Sequence, residues 1–334
     1  MKLTIERSAL LKALGHVQAV VERRNTIPIL SNVLITAGAE GASFAATDLD
    51  IEIQESVPAQ VEREGMATAP AHTLYEIAHK LPDGADVTLE LSGDDPRISL
   101  KAGRSSFSLP CLPPGDFPMM PTEDLATRFS LDAKTLARLI DKTRFAISTE
   151  ETRYYLNGIH LHAADSDGRA TLRAVEDAND DIDVSVSEGK IRFHLGNAVL
   201  TSKLIDGAFP DYERVIPRDN PKAMTVENKR FAEAVDRVAT ISIEKSRSVK
   251  LSLDDGMLTL AVNNPESGQA TEELPVEFGD GTFAIGFNAR YVLDVAGQIE
   301  GDEALFHFAD PASPTLVTDS GDPDALYVLM PLRV

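Results

Sequence analysis

The chain has 334 residues, with 53 acidic against 32 basic side chains, a formal net charge of −21 and a single cysteine. One cysteine excludes an intrachain disulfide or a Cys-rich zinc site. No stretch approaches the roughly 20 apolar residues of a membrane span, and Met1-Lys2-Leu3-Thr4 lacks a signal-peptide layout, so a cytoplasmic protein is expected. Such acidity, taken alone, argues against a simple phosphate binder, which needs a basic surface.

In chain order, Leu3-Thr4-Ile5-Glu6 reads as a short strand feeding a helix whose inner face is Leu10, Ala13 and Leu14, running on to Arg23-Arg24. Period-two alternation predicts strands over 33–36, 43–46, 52–57, 87–91, 98–101 and 107–109, with a second helix over 72–81. The unit closes on Leu112-Pro113-Pro114-Gly115-Asp116-Phe117-Pro118, and 112–121 reads as a connector. The second unit opens on Phe129-Ser130-Leu131-Asp132, then a helix over 133–147 with Leu136, Leu139 and Ile140 as its buried side. Strands are predicted over 159–162, 171–175, 183–186, 191–195 and 199–202, and Leu204-Ile205-Asp206-Gly207-Ala208-Phe209-Pro210 closes the unit. A second connector spans 216–221. The third unit opens on Met224-Thr225-Val226-Glu227 and has helices from Phe231 onward and over 288–299. Its strands are predicted over 249–253, 257–262, 271–276, 282–286, 304–308, 315–318 and 326–330, with a tight hairpin at Asp254-Asp255-Gly256.

The three openings match as apolar, hydroxyl, apolar, acid. Leu10, Leu136 and Phe231 correspond, as do Ala13, Leu139 and Ala234, and Leu14, Ile140 and Val235. A period of this length suits whole domains rather than a solenoid. The fold expected is α+β: three copies of an antiparallel-sheet domain with two helices, over 1–121, 127–219 and 222–334. The middle copy is short. Leu3 to Phe129 is 126 positions, whereas Phe129 to Met224 is 95. About thirty residues after Val175, including a second helix and the strands leading into it, are missing from the pattern.

Enzyme signals are poor: no Gly-rich phosphate loop, G-x-S-x-G or H-E-x-x-H occurs. His160 and His162 would share one strand face, half a metal site without a third ligand nearby, and no metal or cofactor is expected. Cys111 lies in a repeated strand without a local His partner and reads as a packed thiol. The helix over 133–147 carries Lys134, Arg138 and Lys142 at i, i+4, i+8, with Arg144 close by; a solvated face is the plain reading. Arg230, Arg237, Lys245 and Arg247 continue the bias in the third unit, where Glu233 and Asp236 oppose it. Tyr154 and Tyr155, on an expected extended segment, would point to opposite faces and expose at least one ring. The terminal Val328-Leu329-Met330-Pro331-Leu332-Arg333-Val334 either finishes a sheet or lines a groove for a partner peptide.

With Thr26-Ile27-Pro28-Ile29-Leu30-Ser31-Asn32, Ala46-Thr47-Asp48-Leu49-Asp50, Arg153-Tyr154-Tyr155-Leu156-Asn157-Gly158, Thr201-Ser202-Lys203-Leu204-Ile205-Asp206-Gly207, Phe209-Pro210-Asp211-Tyr212 and Tyr327-Val328-Leu329-Met330-Pro331-Leu332-Arg333, the chain resembles the bacterial sliding clamps, the beta subunits of DNA polymerase III, over nearly its whole length. The resemblance implies a non-catalytic processivity factor. Two protomers would close head to tail into a ring, helices lining the hole, sheets outside, and weak sequence-independent phosphate contact permitting sliding. It implies double-stranded DNA contacts at Arg24, Tyr154 and Tyr155, beside Arg138 and Lys142 of the basic stripe. It also implies a homodimer contact of Phe107 and Leu109 against Leu274. A pocket for peptides of the DNA polymerase III alpha subunit, other polymerases and the clamp loader would use Leu156, Pro210, Arg214, Val215, Val328, Met330, Pro331 and Leu332. Where the family continues with Ala-Thr-Asp-Gly-His-Arg-Leu after Val175, this chain passes to Glu176. Two alternatives follow: a peptide-binding ring scaffold that does not encircle DNA, and a metal hydrolase using His160 and His162.

Overall fold

The computed structural model describes the chain except for Arg24, 94–95, 122–124, 163–164, 167–168, 171–180, 243–246 and Val334. It divides into two compact units, Met1–Gly207 and Ala208–Val334. In the first unit the elements are β1 (Lys2–Glu6), α1 (Arg7–Val17), β2 (Asn32–Gly38), β3 (Gly41–Thr47), β4 (Ile51–Val57), β5 (Gln60–Arg63), β6 (Gly65–Pro70), α2 (Ala71–Lys80), β7 (Asp86–Glu90), β8 (Arg97–Ala102) and β9 (Ser105–Pro110). They continue with β10 (Thr127–Asp132), α3 (Ala133–Arg144), the two-residue strands β11 (Asp165–Ser166) and β12 (Arg169–Ala170), β13 (Asp181–Val186), β14 (Lys190–Leu195) and β15 (Ala198–Lys203).

Two large antiparallel sheets carry this unit, ordered β5-β1-β7-β8-β9 and β10-β13-β14-β15-β4-β3-β2-β6, and β11 pairs with β12 apart from them. The second sheet explains why the first two repeats form one body: β15 of the second pairs with β4 of the first, Ala198 opposite Glu55 through Ser202 opposite Ile51. Alternation does the folding. On β8, Ile98, Leu100 and Ala102 are buried while Arg97 and Lys101 face water, as a half-buried strand requires.

Helix α1 buries Leu10, Ala13, Leu14 and Val17, one stripe at i, i+3, i+4, i+7. Its first turn is capped by the Glu6 carboxylate, which accepts the N–H groups of Ser8 and Ala9 at 2.9 and 3.2 Å. Those bonds and the Ser8 hydroxyl hold the Glu6 carboxyl below its ordinary range. Helix α2 covers α1 with Ala71, Leu74 and Ala78, and Arg7 donates to the α2 carbonyls of Ala78 and His79 at 2.9 and 2.8 Å. That satisfies acceptors which a helix C-terminus leaves open. Contrary to expectation, α1 stops at Val17 and only a 3₁₀ turn, Gln18–Val20, follows; Val21 is already extended and Arg23 lies beyond it.

The middle repeat is thinner. Helix α3 fully buries only Leu136, over Ile182 and Val184. Leu139 is half-buried and Ile140 is 36% exposed, against the expectation that both are core. Their counterparts in α1 lie under α2; among the described residues no helix covers α3. The predicted strand over 171–175 lies outside the described residues. Residues 159–162, predicted as a strand, run as irregular chain. The predicted helix over 133–147 ends at Arg144.

The second unit holds β16 (Lys222–Glu227), α4 (Asn228–Ala239), β17 (Ser248–Asp254), β18 (Met257–Asn264), β19 (Gly268–Pro275), β20 (Phe283–Asn288), α5 (Ala289–Ala296), β21 (Glu303–Phe308), β22 (Thr315–Asp319) and β23 (Leu326–Leu329). Its antiparallel sheets run β16-β21-β22-β23 and β19-β18-β17-β20. The predicted hairpin joins β17 to β18 with Asp255 and Gly256 both at positive φ, 46° and 77°, the twist that tight hairpins favour. Phe231, Ala234, Val235 and Val238 of α4 are buried. Asn228, in the place of Arg7, donates to the α5 carbonyl of Ala296 at 2.9 Å. The first and third repeats therefore share one plan in detail.

The two closing phrases diverge. Phe117 is buried among Ile29, Leu30, Leu34 and Ala45 of the first repeat. Its counterpart Phe209 is 36% exposed. The sheet that receives Phe117 has no equivalent in the middle repeat among the described residues.

Candidate nucleic-acid interface and partner pocket

Asp132 caps α3 by accepting the Thr135 N–H at 2.7 Å; bonds from the Thr135 N–H and side chain hold its carboxyl below the ordinary range. From this fixed start the helix carries Lys134 exposed and Arg138 and Lys142 partly exposed, with Arg144 paired to Asp141 at 3.2 Å. Four cations against one acid leave this helix electropositive on a strongly acidic chain. In α4 Arg230 pairs with Glu227 at 2.7 Å, and Arg237 with Glu272 at 2.6 Å and Glu233 at 3.8 Å. Hydrogen bonding to Arg237 holds the Glu272 carboxyl below its usual range. Lys245 lies outside the described residues.

Tyr154 and Tyr155 sit in a 3₁₀ helix, Glu151–Leu156, rather than on an extended segment. Consecutive residues of a threefold helix are turned by about a third of a circle, so the rings meet edge to face, 5.7 Å apart at 81°, instead of pointing to opposite sides. Both are exposed, Tyr154 by 56% and Tyr155 by 36%. The Ser148 N–H closes this loop on the Leu156 carbonyl at 2.9 Å. Behind it runs 204–207. A Cβ on Gly158 would come within 2.6 Å of Ile205 Cδ1, so a larger residue there would make the Ile205 side chain turn away. Arg24, the remaining residue assigned to DNA, lies outside the described residues.

Of the pocket residues, Leu156 belongs to the first unit and is half-buried. The others belong to the second. Pro210 is exposed, Arg214 ends a 3₁₀ turn and pairs with Asp211 at 2.8 Å, and Val215 is 50% exposed. Beyond β23 the Leu332 N–H donates to the Gly286 carbonyl at 2.8 Å, which pins the terminal segment to β20. Met330 and Leu332 remain 61% and 38% exposed, with Val328 and Pro331 half-buried.

Phe107 and Leu109 lie on β9 and Leu274 on β19, the outermost strands of their sheets. Phe107 is 36% exposed, whereas Leu109 and Leu274 are 7% and 8% exposed and anchor those strands to their cores. His160 and His162 stack their rings 5.4 Å apart, off any strand, and among the described residues no group of three ligands suits a metal. No helix among the described residues is long and apolar enough to cross a membrane.

Two features had no sequence signal. A groove of about 1090 Å3 runs along β10, β13 and β14, lined among others by Arg128, Ser185, Arg192 and His194. Glu52, inside an ordinary alternating strand, is 4% exposed. The groove is formed within the second repeat, whereas Glu52 lies on β4, which pairs with β15 across the seam between repeats.

Family models match almost end to end: the DNA polymerase III beta subunit N-terminal domain over residues 1–121, the central domain over 130–172 and 169–211, and the C-terminal domain over 213–333. The central model matches in two pieces. The beta sliding clamp of Caulobacter vibrioides is 58% identical over 372 aligned positions, covering 100% of each chain, and that of Escherichia coli strain K12 is 33% identical over 368, again covering 100% of each. With 334 residues here, 372 − 334 = 38 positions of the first alignment and 368 − 334 = 34 of the second, at the least, face no residue of this chain. A crystal structure of the Caulobacter crescentus clamp superposes with a TM-score of 0.94 at 57% identity, covering 100% of this chain and 99% of that one. A clamp from Bartonella birtlesii gives 0.94 at 43%, covering 100% of both. A three-domain clamp fold and end-to-end matches to beta sliding clamps place the chain in the bacterial beta sliding clamp family, the non-catalytic processivity factors of DNA polymerase III.

Proposed function

We propose that two copies of this chain close head to tail into a ring around duplex DNA and tether the replicative polymerase in the cytoplasm. The observation that carries this reading is the seam inside the chain. There the last strand of one repeat, β15, adds antiparallel to the fourth strand of the repeat before it, β4. The equivalent last strand β9 and fourth strand β19 each lie at a sheet edge, so β9 of one copy and β19 of another can repeat the same junction. Phe107, Leu109 and Leu274 belong to that contact. An edge of this kind is otherwise a liability for uncontrolled pairing.

DNA is held by topology and touched lightly. Arg138 and Lys142 of α3, with Arg24, Tyr154 and Tyr155, supply sequence-independent contacts; strong phosphate binding would stop sliding. The exposed apolar residues Val215, Met330 and Leu332, with Pro210, Arg214, Val328 and Pro331, form the surface for peptides of the polymerase III alpha subunit, other polymerases and the clamp loader. The Bartonella birtlesii relative has been solved bound to griselimycin, in keeping with a family surface that accepts ligands.

A second reading, a peptide-binding ring scaffold without DNA encirclement, draws on the uncovered Ile140 and on the alignment positions that this chain leaves empty. We infer that the shortfall falls in the middle repeat after Val175. Sedimentation equilibrium tests the common part of both readings. The full chain is expected at twice its monomer mass, and Phe107→Arg, which sets a charge on the β9 edge, is expected to weaken the dimer at least tenfold. A monomer at all concentrations, or a dimer indifferent to Phe107→Arg, contradicts the β9–β19 junction.

A further inference from the structure

The seam between the first two repeats contains a buried carboxylate that neither sliding nor peptide capture uses. Glu52 on β4 is 4% exposed, and its Oε2 accepts the Met120 N–H at 2.8 Å. Met120 belongs to the connector that leads from the first repeat to the second and is itself buried. On either side of Glu52 in the sheet stand Thr47 of β3 and Thr201 of β15, each 1% exposed. No cation lies within ion-pair distance of it among the described residues. The charged groups that act on it are Lys190 and Arg192, both on β14. Both have other partners: the Lys190 ammonium donates to the Pro121 carbonyl at 3.1 Å, and Arg192 Nε to Thr201 Oγ1 at 3.0 Å. The connector is thus held at adjacent residues, Met120 by a carboxylate and Pro121 by an ammonium.

We propose that Glu52 is a proton-dependent pin: the connector docks firmly on the seam when its carboxyl is protonated and loosens as it ionises. An ionised group in such a site lacks both water and a close counter-charge, and burying a charge so is unfavourable. A neutral carboxyl keeps a carbonyl oxygen that still accepts the Met120 N–H. Burial pushes the Glu52 carboxyl above its ordinary range; the Met120 bond, Arg192 and Lys190 oppose this without reversing it. The sign follows by linkage. A native value above the unfolded one gives stability that is fully present below the unfolded value and is lost as pH rises through the native value. Lys190 keeps its hold on Pro121 throughout, so the release is local to Met120 and leaves the β4–β15 ladder in place.

Glu52→Gln in the full chain tests this, because the amide keeps an acceptor and cannot ionise. Hydrogen exchange at the Met120 amide, corrected for its intrinsic rate, is read between about pH 4 and pH 8 beside thermal unfolding. In the parent, protection of Met120 is expected to fall with rising pH, by up to roughly tenfold for each unit that separates the native from the unfolded value. In Glu52→Gln protection stays flat and exceeds the parent at the alkaline end, and its melting temperature is higher there but equal at the acid end. Glu52→Leu, with no acceptor, exchanges faster than Glu52→Gln at every pH. Parent protection independent of pH, or a Glu52→Gln chain less protected than the parent at the alkaline end, overturns the pin.

Discussion

Asp319 shows how one side chain can organise a corner. It is 4% exposed, and its carboxylate accepts three backbone N–H groups, from Glu300 at 2.6 Å, Gly301 at 2.9 Å and Gly321 at 2.8 Å. The glycines are required by closeness: a Cβ on Gly301 would come within 2.7 Å of the Gly321 nitrogen, and one on Gly321 within the same distance of the Gly301 nitrogen. Removing the carboxylate leaves partly buried donors without acceptors, at about 1–3 kcal/mol for each group unsatisfied. Asp319→Ala is therefore expected to lose at least about 2 kcal/mol in urea unfolding of the third repeat; a loss below about 0.5 kcal/mol would mean that water replaces the carboxylate. At this scale the sequence was partly legible. The acid closing the opening phrase caps the following helix at Glu6 and Asp132, but Glu227 makes no capping bond and pairs with Arg230 instead, and the Tyr154–Tyr155 geometry was misread because a 3₁₀ turn leaves no periodic trace. Glu52 was illegible, since its neighbours Met120 and Thr201 lie far along the chain.

At the scale of elements, three helices with the same spacing meet three environments. Leu10, Ala13 and Leu14 of α1 and Phe231, Ala234 and Val235 of α4 are all fully buried, as periodicity predicts. In α3 only Leu136 is. Amphipathic spacing reports which face a helix offers to the core, and it cannot report whether the covering helix is present. The count of positions between repeats, 95 against 126, is what raises the expectation of a missing cover. Equivalent truncations make the difference measurable. Leu14→Ala is expected to cost about 2–5 kcal/mol, as for a fully buried leucine, whereas Ile140→Ala costs under about 1 kcal/mol. The comparison is read by urea unfolding of the full chain, each variant against the parent. An Ile140→Ala cost equal to that of Leu14→Ala would show that α3 is covered after all.

For the whole molecule, charge and architecture have to be read together. A net charge of −21 repels phosphate at large, and Arg230 and Arg237 of α4 pair with neighbouring carboxylates. Helix α3 carries four cations against one acid. That distribution suits a protein whose hold on DNA comes from closure rather than from affinity, because each phosphate neutralised would add friction and steepen the salt dependence. Threefold repetition was legible from end to end; the fusion of the first two repeats through β4 and β15 was not, because strand pairing between repeats leaves no mark in either strand alone.

The most direct test is retention on DNA of two topologies. Clamp loaded by its clamp loader onto a nicked circle is separated from free protein, and the circle is then cut once. The ring account predicts that the protein stays on the intact circle at salt concentrations that abolish ordinary phosphate binding and leaves once the ends are free. Equal retention on circular and linear DNA, or no retention on either after loading, would contradict it.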